Sequence, residues 1–75
     1  MGKLSSITAK QAIRALKRAG FVEDRQKGSH LILIHPMKQV RTVIPVHAGR
    51  TIKEPLMRSI LKDAELSIEK FIDLL

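Results

Sequence analysis

Between Phe21 and Val46 three strand-like runs are separated by gaps too short for anything but tight turns. The runs cover residues 21–26, 29–35 and 40–46, parted by Lys27-Gly28 and by Pro36 with Met37-Lys38-Gln39. Parallel strands need a crossover of about a dozen residues, whereas antiparallel strands can be joined by two. The pattern therefore predicts a three-stranded antiparallel meander, with Pro45 near the end of the third strand or at a sheet edge.

Helical signals flank this block. Residues 7–21 predict a first helix, with Thr8 as N-cap, Gln11 completing a capping box, Gly20 as the left-handed stop and Phe21 folding back on the last turn. Ala9, Ala12, Ile13, Leu16 and Ala19 or Gly20 line its core stripe, and Lys10, Arg14, Lys17 and Arg18 gather on the other side. A second helix follows the loop at 47–50. Thr51 with Glu54 matches a capping box, but Pro55 prefers the first helical position, so a start at about Pro55 is expected, running to Ala64 with Leu56, Ile60 and Leu61 buried. Ser67 can cap a short terminal helix carrying Ile68, Phe71, Ile72 and Leu75. The expected fold is α+β: an α-β-β-β-α sandwich of a three-stranded antiparallel sheet with helices on one face, plus a short C-terminal helix.

Seventy-five residues allow one domain, spanning 1–75, because two independent cores need more chain. Only two aromatics, Phe21 and Phe71, are present, so that core is aliphatic. The absence of cysteine removes disulfides, thiolate metal sites and thiol nucleophiles, and is compatible with a reducing compartment. No apolar run approaches the roughly 20 residues of a bilayer span, and the N-terminus has no signal-like apolar block. A cytoplasmic location without membrane association is expected.

Fourteen Lys and Arg face seven Asp and Glu, for a net charge of +7. Residues 1–53 hold eleven basic and two acidic side chains, against three and five in residues 54–75. A segregated positive excess attracts polyanions through counterion release, so nucleic acid is the expected partner rather than solubility the sole explanation. Lys10, Arg14 and Lys17 are candidate phosphate contacts, although a cationic helix face is often merely solvated.

Strand alternation sorts the middle run into His30, Ile32 and Ile34 on one face and Leu31, Leu33 and His35 on the other. Helices cover only one side of such a sheet, so one apolar set faces outward as a seam for a partner unless a loop or tail folds over it. His30 follows Gly28-Ser29, with Arg25 and Lys27 just before the turn. Glycine lets a phosphate approach the backbone, Ser29 can donate a hydrogen bond, and the two cations can hold an anion. Histidine moves protons near neutrality, and RNA supplies its own nucleophile in the 2′-hydroxyl. His30 is therefore the catalytic candidate, against the plain alternative of a structural strand histidine beside a turn glycine. His35 points to the opposite face, and His47 ends the third strand. No metal is expected, since no ligand spacing repeats, and no cofactor motif is present.

Gly20-Phe21, Arg25-Gln26-Lys27-Gly28-Ser29-His30, His35-Pro36, Thr42-Val43-Ile44-Pro45-Val46-His47 and Leu56-Met57-Arg58-Ser59-Ile60-Leu61-Lys62 together resemble the HicA toxins of HicA/HicB toxin–antitoxin pairs. The resemblance runs in order from about Ile7 to Leu75. It implies a fold like a double-stranded-RNA-binding domain, metal-independent mRNA cleavage with His30 at the active site, and inhibition by a HicB-type antitoxin. One position departs: Leu31 stands where the family often carries a second polar residue, frequently His.

The expected function is thus that of a type II toxin, an endoribonuclease that cuts mRNA with His30 as general acid or base. A non-catalytic RNA-binding module and a protein-interaction domain for an acidic partner are the alternatives. The oligomeric state of the free chain stays open, a monomer included.

Overall fold

The computed structural model describes residues 3–75. A 3-10 turn, Lys3–Ser6, leads into β1 (Ile7–Thr8) and α1 (Ala9–Arg18). Next come β2 (Val22–Lys27), β3 (His30–His35) and β4 (Val40–Pro45), then β5 (Thr51–Ile52), α2 (Glu54–Ala64) and α3 (Ile68–Leu74). The main sheet has the order β2-β3-β4 and is antiparallel throughout, the expected meander.

The capping box at the start of α1 forms as the sequence predicts. Thr8 Oγ1 accepts from the Gln11 N–H at 3.2 Å, and Gln11 Oε1 accepts from the Thr8 N–H at 2.9 Å. The helix itself is shorter than 7–21. Ile7 belongs to β1, and the chain leaves the helix through Ala19 and Gly20, whose φ of +105° is open mainly to glycine.

A second, two-stranded sheet is the element that the sequence did not announce. Ile7 pairs with Ile52 and Thr8 with Thr51, antiparallel, so the residues that precede α1 and α2 are bonded to each other. Two-residue strands carry no periodicity to read. This pairing also settles the start of α2. Thr51 is held in β5 and is not available as a cap; Lys53 is the N-cap without a side-chain bond, and Glu54 turns to Arg58, whose Nε donates to it at 2.9 Å. The helix begins at Glu54, within one residue of the expected start at about Pro55, and Pro55 lies in its first turn.

The core lies between the helices and one face of the sheet. Leu31, Leu33 and Ile44 from the sheet meet Ala12, Ala15 and Leu16 of α1, Met57, Ile60 and Leu61 of α2, and Phe71 of α3, all buried. Thr42, the buried polar side chain among them, donates from Oγ1 to the Ile60 carbonyl at 3.0 Å. Three expected apolar positions are corrected. Met57, with Ile60, Leu61 and Ala64, forms the i, i+3, i+4, i+7 stripe of α2, which leaves Leu56 on the flank at 43% exposure. In α3 the packed seam is Ile68, Phe71 and Leu74, so Ile72 and Leu75 are not part of it. No helix among the described residues is long and apolar enough to cross a membrane.

Candidate active site on the open sheet face

Because the helices pack on the Leu31, Leu33 and Ile44 side, the other face of the main sheet is left open. His30, Ile32 and Ile34 of β3 lie on it, and the ladder places their partners there too, since directly paired residues share a face. From β4 these are Pro45, Val43 and Arg41. From β2 they are Lys27, Arg25 and Val22.

Strand β2 reaches this arrangement through an irregularity. Lys27 and Arg25 pair with His30 and Ile32, but the register then shifts, so Glu23 pairs with Leu33 and Val22 with Ile34. Asp24 is the extra residue of a β-bulge, and one extra residue reverses which side chains face which way. Without it Glu23 would join the open face. With it, Glu23 falls on the helix side and meets Lys17 Nζ at 2.6 Å. The charges at paired positions of the open face are therefore all positive: Arg25, Lys27 and Arg41.

His30 is exposed, the first residue of β3, directly across from Lys27 on one side and Pro45 on the other. Gly28 has φ +58° and open space where a Cβ would stand, so the turn presents bare backbone next to the imidazole. Gln26 Nε2 donates to the Gly28 carbonyl at 3.1 Å and steadies that turn. Ser29 is half-buried, and its carbonyl accepts from the Val46 N–H at 2.6 Å, extending the β3–β4 pairing one step past Pro45. An exposed imidazole, two cations and an accessible turn thus share one corner, which can hold a phosphodiester and move a proton beside it.

The other sequence candidates lie elsewhere. Lys10, Arg14 and Lys17 project from α1, in the helix layer on the far side of the sheet from the His30 ring. Lys17 is paired with Glu23, and Arg18 Nη1 donates to the Leu74 carbonyl at 2.7 Å, tying α1 to the end of α3. Of that ridge, Lys10 stands at the end of the molecule where His30 is, in a cleft shared with His47 and Arg50. His35 is structural. Its Nδ1 accepts from the Lys38 N–H at 3.1 Å, so its Nε2 carries the proton donated to the Ala19 carbonyl at 3.2 Å. Its ring stands edge-on to Phe21, with centroids 5.2 Å apart. Leu31 is 4% exposed and faces the core, so that position does not share a face with His30.

Arg41 was missed by the sequence reading, although the alternation Arg41, Val43, Pro45 in the third strand carried the signal. Among the described residues no His, Asp and Glu side chains gather into a metal-binding group.

The family model described as the HicA toxin of bacterial toxin-antitoxin matches residues 9–66. No curated protein matches the chain.

Proposed function

The chain belongs to the HicA toxin family of bacterial toxin–antitoxin systems, and on that premise we propose that it is an endoribonuclease that cuts mRNA without a metal ion, through His30. The observation that carries this reading is the exposed His30 ring beside Lys27 and the bare turn at Gly28, on a face whose paired charges are all positive.

In the reaction the ribose 2′-oxygen attacks the adjacent phosphorus, the bond from phosphorus to the 5′-oxygen breaks, and cyclic 2′,3′-phosphate and 5′-hydroxyl ends result. His30 accepts the 2′-hydroxyl proton as general base, or supplies the proton that the leaving 5′-oxygen needs, with solvent exchanging the other. Lys27 and Arg25 stabilise the charge that builds on the phosphoryl oxygens, an effect worth most where donors are already in place. Gly28 and Ser29 let the backbone approach, and Lys10, Arg14 and Lys17 grip more distant phosphates. The Lys17–Glu23 pair is half exposed, and such pairs hold by about 1 kcal/mol or less, so Lys17 can exchange its partner for RNA.

The same face suits the antitoxin that the family implies. Val22, Ile32, Ile34, Val43 and Pro45 offer an apolar strip flanked by Arg25, Lys27 and Arg41. A partner that is apolar at its centre and acidic at its rim would cover His30 and exclude RNA. Residues 1–75 act as one domain in this reading, since Phe71, beyond the matched segment, shares the same core, and the mRNA substrate places the protein in the cytoplasm.

The test is incubation of purified protein with an end-labelled transcript in EDTA, beside His30→Ala. Wild type should cut and the variant should not, while binding the transcript nearly as well. Binding without cutting by wild type would leave an RNA-binding module, and equal cutting by the variant would remove His30 from the chemistry.

A further inference from the structure

An open cleft of about 410 Å³ lies between the first turns of α1 and the segment that leaves β4. Ala9, Lys10 and Ile13 form one wall, and residues 46–50 form the other. Its surface is mainly apolar, from Ala9, Ile13, Val46 and Ala48, while Lys10 and Arg50 bring two cations and no lining residue is acidic. Gly49, at φ +76°, turns the segment back toward β5 and so shapes that wall.

The cleft adjoins the His30 corner. Pro45 is the direct partner of His30, and the Val46 N–H is bonded to the Ser29 carbonyl. Pro45 faces the open side with His30, and alternation turns Val46 toward the helix side, so β4 leads from the histidine into the cleft within one residue. A strand of RNA running from the His30 corner to the cations of α1 has to round the sheet at this end.

We propose that this cleft receives one unpaired nucleotide of the RNA, next to the phosphodiester at which His30 acts, and so sets where the chain is cut. The chemistry fits one occupant. Its size falls within the range of small-ligand sites, roughly 300–1,000 Å³, where apolar walls hold the body of a ligand and a few polar groups orient it. A nucleobase supplies a flat, weakly polar body, and Lys10 and Arg50 in the lining are placed for the phosphate on the side away from His30. The imidazole of His47, also in the lining, offers a ring against which a base can stack. A paired base has no free face to insert, so cutting is confined to unpaired positions. The inference rests on the RNA-cleaving reading for its substrate, but its test is separable from that reading.

Methyl NMR on the His30→Ala protein provides that test, with the methyls of Ala9, Ile13, Val46 and Ala48 as reporters. An unstructured RNA hexanucleotide is titrated, then the same sequence annealed to its complement, then an acidic peptide of equal charge. The hexanucleotide alone should shift the four methyls. Ala48→Trp, which fills the cleft from an exposed loop position, should weaken hexanucleotide binding at least tenfold. In the His30-containing protein the same change should even out the nucleotide preference beside the cuts. Arg50→Ala should weaken binding without filling the cleft, which guards against misfolding of the Trp variant. Silent methyls while the wild type cuts, shifts of equal size with duplex or with peptide, or unchanged preference in Ala48→Trp would each overturn the proposal. If the wild type fails to cut at all, the methyl shifts still decide whether the cleft takes an unpaired nucleotide.

Discussion

His35 closes over Gly20: a Cβ built on Gly20 would stand 2.7 Å from Nε2 of the imidazole. The same ring is held on its other side by the Lys38 N–H and packs on Phe21, so it has no room to retreat. Gly20→Ala therefore meets both the contact and a φ of +105° that side chains rarely adopt. Strain and overpacking each cost about 1–3 kcal/mol, so a loss of about 2–4 kcal/mol is expected in urea unfolding. Since small proteins hold roughly 5–15 kcal/mol in all, a loss below about 0.5 kcal/mol would mean that the contact relaxes freely.

Phe71 is fully buried although it lies outside the matched segment 9–66. Phe71→Ala should cost about 3–5 kcal/mol, by lost transfer free energy and the cavity left behind. Truncation after residue 66 should do at least as much harm. Thermal unfolding followed by circular dichroism measures both, and an unshifted midpoint would show that α3 is dispensable.

Thr42→Val keeps the shape of the side chain and removes the bond to the Ile60 carbonyl. A net loss of about 1 kcal/mol is expected, the usual worth of such a bond. Thr42→Ala, which also opens a cavity, should cost more. No loss in Thr42→Val beside a clear loss in Thr42→Ala would assign the effect to packing alone.

Lys27 faces His30 across the hairpin, so Lys27→Ala should slow single-turnover cleavage about tenfold or more, as expected for one charge-assisted contact worth roughly 1.5–3 kcal/mol. The slope of log affinity against log salt should fall by about 0.7 for a single strand. Lys27→Arg should retain most of the rate. An unchanged rate in Lys27→Ala would separate this cation from the reaction.

Much of this molecule was legible before folding. The Thr8–Gln11 capping box, the glycine stop and the two-residue alternation of residues 30–35 are local signals, and each formed where it was read. The first turn formed one residue later than expected, at Gly28-Ser29, which brings Lys27 into β2 opposite His30. The His30 corner was legible for the same reason: Arg25, Lys27, Gly28 and His30 are joined by one tight hairpin, and a hairpin fixes its own register. Less legible were features in which distant segments decide the outcome. Whether Leu56 or Met57 faces inward depends on the angle at which α2 meets β4, and either residue satisfies a helical period.

What the sequence by itself determined, then, is the three helices, the three strands of the main sheet, their antiparallel order and the presence of a histidine among cations at a bend, because these follow from steric and hydrogen-bonding preferences within a few residues. Tertiary structure alone decided the pairing of Ile7 with Ile52, the bulge that turns Glu23 away from the open face toward Lys17, and the cleft that joins Lys10 to Arg50. Those depend on contacts between segments far apart in the chain, where register and packing angle are chosen by the burial of the whole core rather than by any neighbouring residue.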